Sequence, residues 1–204
     1  MLKKIEQRVN QRVSPILGQD QMDRFAVIIP LVKQQDGSLA VLFETRAKTL
    51  NRQPGEVSFP GGRIEATDSD AVEAAVRETS EELGIPQDDI RVIGELGAYV
   101  HFQKSVIFPI IAELNSAEYA LNEAEVEDIF FVPLSFLLSN PPQKFQINIK
   151  SQPEDNFPFH LIPEGKNYPF RFRKVEEYFY LYHDRVIWGM TARILYFFLT
   201  LLKD

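Results

Sequence analysis

Residues 68–84, "DSDAVEAAVRETSEELG", constrain the fold more than any other stretch of this chain. Val72, Ala75, Val76, Thr79 and Leu83 recur every three or four residues. Asp68 or Ser69 can cap the start, and Gly84 stands where a left-handed residue ends a helix. The spacing predicts a helix over 68–83 whose face of Val72, Val76, Thr79 and Leu83 lies against a sheet. At about 100° per residue, Glu78, Glu81 and Glu82 share an arc on another face, so three carboxylates point at whatever lies across a groove. Arg77 stands to the side, where Glu73, one turn earlier, can pair with it.

Like charges at this spacing repel by roughly a few tenths of a kcal/mol per pair in water, and by more when partly buried. A divalent cation reverses that cost. Hard carboxylate oxygens suit Mg²⁺ or Mn²⁺, and Mg²⁺ is usually held by one or two carboxylates together with the phosphates of a substrate. The pair Gly61 and Gly62 just before the helix lets the backbone pass close by, and the Gly62 carbonyl offers one more oxygen ligand. An acidic string on an exposed helix is more often a solvated face than a metal site. Here it keeps company with "FPGG" before the helix and Glu-Glu-Leu-Gly-Ile at its end, an ordered set that composition rarely yields.

Around this helix, "RFAVIIPLV" (24–32) and "LAVLFETRA" (39–47) read as two strands of a hairpin turned at Asp36-Gly37. Residues 48–68 form a polar loop punctuated by Pro54, Gly55, Pro60, Gly61 and Gly62, with one short strand, "EVSF". "IRVIGELGAYV" (90–100) and "SVIFPIIAEL" (105–114) are further strands, and "EVEDIFFVPLSFLL" runs from a strand or turn into a short helix. "KFQINIK", "FPFHLIP" and "EEYFYLYHDRVI" add extended segments. A first helix is expected over 1–19, where Ile5, Val9, Val13 and Ile16 have helical spacing, and a terminal helix over 186–203. Strands with helices at the start, middle and end predict one mixed α/β layered domain over 1–204, with no linker or repeat to divide it.

A net charge of −7 with no basic run disfavours a nucleic-acid backbone as partner, but not an anionic ligand bridged by cations. The absence of cysteine removes thiolate ligands and nucleophiles. No segment reads as a signal peptide or a membrane span, and "LLKD" matches no address signal, so a cytoplasmic protein is expected. His101, His160 and His183 share no metal-binding spacing. The Phe and Tyr content is read as core and interface, and Trp188 as packing of the terminal helix.

Arg77-Glu78-Thr79-Ser80-Glu81-Glu82-Leu83-Gly84-Ile85 resembles the second half of the Nudix hydrolase box. Thr79 stands where the box has an apolar residue, Ser69 falls where its leading Glu would be, and the gap from Gly62 is one residue longer. The longer gap, together with "VLFETRAKTLNRQPGEVSFPGG", resembles the coenzyme A pyrophosphatase branch: Arg46, Ala47, Gly55, Phe59, Pro60, Gly61 and Gly62 agree, while Asn51 replaces a second Arg. The resemblance runs from about residue 24 to about 196 and implies a Nudix-type α/β/α sandwich with a mixed β-sheet between helices.

It also implies metal-dependent cleavage of a nucleoside diphosphate derivative. In the coenzyme A branch, coenzyme A or acyl-CoA is cut to 3′,5′-ADP and (acyl-)4′-phosphopantetheine. Glu78, Glu81 and Glu82 with Gly62 would hold Mg²⁺ or Mn²⁺, and Arg46 and Arg52, with Gly61 and Gly62, would meet substrate phosphates. The general base is a helix glutamate or a later carboxylate, Glu125 or Glu127. ADP-ribose, NADH or a dinucleoside polyphosphate is the alternative substrate. A non-catalytic nucleotide-binding module ranks last because all three helix glutamates are present. A small-molecule nucleotide is thus the expected partner, with a homodimer suggested by the apolar tail and the family.

Overall fold

The computed structural model describes residues 1–10, 16–101, 104–116 and 118–203. Helix α1 covers Leu2–Asn10 with Ile5 exposed. The expected helix over 1–19 does not reach its end: Gly18 has φ 83° and starts a separate short turn, while Val13 lies outside the described residues. Strands β1 (Asp23–Lys33) and β2 (Leu39–Arg46) form the expected hairpin, with Leu31 opposite Val41 and Gly37 at φ 83° in the turn. The polar loop that follows holds two short strands where one is expected. β3 (Val57–Ser58) pairs with β2, and β4 (Gly61–Arg63) pairs with β1, which places the glycine pair on the sheet.

Helix α2 spans Ala71–Leu83 and is capped one or two residues later than expected, by Asp70, whose carboxylate accepts the Glu73 amide. Glu73 in turn accepts the Ser69 amide at 2.6 Å, a near-reciprocal cap that ties both side chains to the first turn. Gly84 ends the helix at φ 63°. The stretch 90–100 is two strands rather than one, β5 (Ile90–Glu95) and β6 (Tyr99–His101), parted by Gly97 at φ 105°. Both run antiparallel to β7 (Ser105–Leu114), and β7 is parallel to β1 from Asp23↔Ser105 to Val32↔Leu114. Strand β8 (Val126–Pro133) closes on β2 and leads into the short helix α3 (Leu134–Ser139).

Strands β1 to β8 make one mixed sheet, and both of its faces are covered. This explains why β1 and β2 read as almost continuous apolar runs instead of alternating. On one face Ala26, Ile28, Leu42 and Ile110 pack under Ala71, Ala74, Ala75 and Leu83 of α2. The other face buries Ile29, Val41, Phe43 and Ile107 beneath Leu195 and Phe198 of the last helix, α4 (Gly189–Leu201). Phe43 stacks between Phe59 and Phe130, so those aromatic rings are core. The result is the expected layered α/β arrangement, with one addition: a three-stranded antiparallel sheet of β9 (Gln143–Lys150), β10 (Phe172–Tyr182) and β11 (Arg185–Trp188).

The terminal helix therefore begins at Gly189, not at 186. Val186 and Ile187 pair with Leu181 and Tyr180, a role suited to β-branched side chains, and Gly189 at φ 63° makes the change of direction. "FPFHLIP" is not extended either; Phe159–Leu161 form a 3₁₀ turn. Among the described residues no helix is long and apolar enough to cross a membrane.

Candidate active site

The buried face of α2 is made of small residues, Ala71, Ala74, Ala75 and Thr79, while Val72 and Val76 are only partly covered. Alanines let the helix approach the sheet closely, and the buried arc is turned toward Glu82 relative to the valine-centred face that the spacing predicts. The three glutamates consequently separate. Glu82 is 3% exposed, Glu78 is largely shielded at the rim, and the Glu81 side chain is 60% exposed.

Glu82 Oε2 accepts the backbone amide of Gly61 at 2.7 Å, which joins α2 to the "FPGG" turn. Gly62 lies directly against Glu78: a Cβ there would overlap the carboxylate, so only glycine leaves that group room. Arg77 does not pair with Glu73, whose carboxylate is taken by Ser69. Its guanidinium forks onto Asp68 (3.0 and 3.1 Å), and its Nη1 reaches Glu78 at 2.8 Å and Glu81 at 3.5 Å. Asp68, read in the sequence as a cap, is thus the residue that orients Arg77, and Arg77 in turn holds Glu78.

The sequence reading missed Glu44. It sits in β2 between Phe43 and Thr45, is 1% exposed, and lies on the α2-covered face of the strand with Leu42, from where its charge acts on Glu82. Ser58 Oγ donates to Glu44 Oε1 at 2.8 Å, while Oε2 is buried without a hydrogen-bond partner. The available signal was a lone acid inside an apolar strand run, since burying a carboxylate is costly unless something compensates it. Glu44 and Glu82 are the two buried acidic residues among the described ones.

Burial pushes the Glu44 carboxyl up to about 7, against the opposing effects of Ser58 and Arg46. Burial, and then the neighbouring Glu44, raise Glu82 well above the ordinary range, and burial also raises Glu78, with Arg77 pulling it back. Because the folded values lie above the unfolded value of about 4.5, these groups favour the folded state fully below pH 4.5 and lose that contribution as the pH rises through their folded values, about 7 for Glu44. With a chelator present, the melting temperature is therefore expected to fall between pH 5 and pH 8, and Glu44→Gln to flatten the fall. Differential scanning fluorimetry across that range checks it; an equally steep fall in the variant would refute the assignment.

Glu125 lies in the turn before β8, and its charge acts on Glu44, Glu78 and Glu82. Glu127, the alternative in the sequence, is held by Lys48 at 2.6 Å instead. Arg46 ends β2 beside Glu44, with its Nε buried and unpartnered. Asn51 and Arg52 stand exposed on the loop between β2 and β3. The three histidines stay apart, in β6, in the 3₁₀ turn and at the β10–β11 turn. A separate cavity of about 520 Å³ is lined by Thr45, Glu56, Val57, Phe179, Arg185 and Trp188, and so shares the β2–β3 segment with the acidic groove.

The donor set of the groove is oxygen only, acidic, and includes one buried oxygen without a partner, which is the chemistry of a hard divalent cation. Among the described residues no three carboxylate or imidazole groups close on a single point, because Arg77 keeps Glu78 and Glu81 at the rim while Glu82 is drawn in by Gly61.

A mixed sheet between helices, with an acidic helix behind a Gly-Gly turn, defines the class of protein. Residues 22–151 match the family model described as the NUDIX domain, and the chain belongs to the Nudix family, whose hydrolases generally need a divalent metal. It is 35% identical over 152 residues to the peroxisomal coenzyme A diphosphatase NUDT7 of Mus musculus, a match covering 72% of this chain and 63% of that protein. The human mitochondrial coenzyme A diphosphatase NUDT8 is 33% identical over 181 residues (87% and 68% covered). The uncharacterized Nudix hydrolase NudL of Enterobacter sp. (strain 638) is 30% identical over 190 residues (91% and 86%). Among solved structures, a MutT/nudix family protein from Enterococcus faecalis superposes with a TM-score of 0.52 at 15% identity, covering all of this chain and 70% of the other, which is likeness of fold.

Proposed function

We propose that the chain is a Mg²⁺- or Mn²⁺-dependent pyrophosphatase that hydrolyses coenzyme A or acyl-CoA to 3′,5′-ADP and (acyl-)4′-phosphopantetheine. The observation that carries the reading is the Gly61–Glu82 hydrogen bond. It sets the "FPGG" turn, the branch-like feature, directly on the acidic helix, the hydrolytic one. The relatives named as coenzyme A diphosphatases support the substrate.

In this reading Glu78, Glu81 and Glu82, with the Gly62 carbonyl, hold the cation. When bound, a divalent ion neutralises charge on the phosphoryl oxygens and makes a water easier to deprotonate. Arg77, fixed by Asp68, orients Glu78 and Glu81. Arg46, whose buried Nε has no other partner, meets a substrate phosphate beside the Gly61-Gly62 turn, and Arg52 serves a phosphate lying over the loop. Glu125 takes the proton of the attacking water, because it faces the groove while Glu127 is neutralised by Lys48. Water adds to phosphorus, the bridging P–O bond breaks, and the two phosphates leave as separate monoesters.

The test is product analysis of the purified protein with Mg²⁺ or Mn²⁺ on coenzyme A, ADP-ribose, NADH and diadenosine polyphosphates. Release of 3′,5′-ADP is expected, and no turnover of coenzyme A would refute the substrate. The aromatic wall of the neighbouring cavity, Phe179 stacked on Trp188, is assigned to the pantetheine arm. Trp188→Ala is therefore expected to raise KM for coenzyme A about fivefold while leaving that for ADP-ribose unchanged; equal changes for both would remove this role. The same reading puts the enzyme in the cytoplasm as a homodimer, supported by the exposed Phe197, Leu201 and Leu202 of the C-terminal segment and checked by sedimentation.

A further inference from the structure

We propose that Glu44 is an additional ligand of the cation centre, contributed by the sheet, with its unpartnered Oε2 as the donor atom. The inference rests on the cation reading above and adds to it a residue outside the acidic helix.

Three observations carry it. First, Glu44 is 1% exposed in the middle of the β2 pairing, with Phe43 opposite Phe130 and Glu44 itself opposite Ile129 on one side and Ser58 on the other. An acid contributes nothing to packing there that a threonine or valine would not supply, and its burial is costly. Second, its side chain is fixed. Ser58 Oγ holds Oε1 at 2.8 Å and leaves Oε2 buried with no donor; of the four buried side-chain atoms without a partner among the described residues, it is the one that belongs to a carboxylate. Third, Glu44 lies two residues after Leu42 in β2, on the face covered by α2, and its charge acts on another buried acid. Glu82 lies across the seam between β2 and α2, with Glu125 at the mouth of the same groove.

Two desolvated carboxylates that act on each other in one seam are unfavourable unless a cation or a shared proton offsets them. Arg46 offsets part of this charge, but its guanidinium leaves Oε2 without a hydrogen bond. The seam also differs from the rim. Glu78 and Glu81 are engaged by Arg77, whereas the free oxygen of Glu44 has no competing partner and sits on a strand hydrogen-bonded along both edges. A ligand from such a strand is preorganised, and the Ser58 hydroxyl is its orienting group, as hydrogen-bonded carboxylates are in metal sites generally.

The experiment is direct binding of Mn²⁺ to the full chain, read from the electron paramagnetic resonance of free Mn²⁺, without substrate. It compares the wild type with Glu44→Gln, Glu44→Thr and Ser58→Ala, each checked for folding by circular dichroism. Glu44→Gln and Glu44→Thr are expected to weaken Mn²⁺ binding at least tenfold, and Ser58→Ala about threefold. Ser58→Ala keeps the question open to refutation if removal of the acid prevents folding. Wild-type binding with unchanged Kd in the folded variants would overturn the inference, leaving Glu44 as a proton-sharing neighbour of Glu82. Failure of the wild type to bind Mn²⁺ at millimolar concentration would instead overturn the cation reading itself.

Discussion

Glu82→Gln is expected to lower kcat/KM for the diphosphate substrate by on the order of 10³ and, in the same protein, to raise the melting temperature of the metal-free chain at pH 8. The two effects share one cause. Glu82 is held inside by the Gly61 amide, and its carboxylate is desolvated next to Glu44. With a cation bound, that concentrated negative charge is what the site needs; without one it opposes folding. Glutamine keeps an oxygen for the Gly61 amide and removes the charge, so stability should be regained, read as a rise of roughly a few °C for a domain of this size. A reading confined to the helix would expect the substitution to be neutral for folding, because it places Glu82 on the open groove face. Kinetics with Mg²⁺ and melting curves in EDTA check both arms; full activity would sink the site assignment, and a lower melting temperature would sink the electrostatic account.

The second large effect separates two adjacent glycines. Gly61 has φ 142°, and a Cβ there would overlap the Ala26 carbonyl and stand 2.6 Å from Val27 Cα. Both obstacles are backbone of β1, which is held along its other edge by β7 and cannot yield. Gly61→Ala is expected to cost about 3 kcal/mol or more, a drop in melting temperature on the order of 10 °C. At Gly62 the obstacle is only the end of a flexible side chain, the Glu78 carboxylate. Gly62→Ala should therefore fold within about 1 kcal/mol of wild type while kcat falls on the order of 100-fold, because Glu78 is displaced. Circular dichroism melts beside kinetics resolve the pair; a Gly61→Ala protein melting within about 2 °C of wild type would contradict the packing of β4 on β1.

Both predictions concern residues whose chemistry can be read locally and whose consequences cannot. The sequence encodes the α2 helix, its Gly84 stop, the Asp36-Gly37 hairpin, and the acidic, thiol-free character of the groove legibly, because caps, turns and periodicity act within a few residues. It also carried the family, through a spacing that local structure imposes. Which carboxylates lose water is set by packing between elements far apart in the chain. Helical periodicity places Glu78, Glu81 and Glu82 on one arc, but the alanine-rich contact with the sheet turns that arc so that Glu82 goes inside and Glu81 stays out. The same holds for Arg77, which pairs with Asp68 because Ser69 and the Asp70 cap have already engaged Glu73. Glu44 lies 38 positions before Glu82 and is brought to it by the pairing of β2 with β3 and of β4 with β1. Desolvation depends on what lies across the seam, and that is set by strand order, which no local pattern encodes.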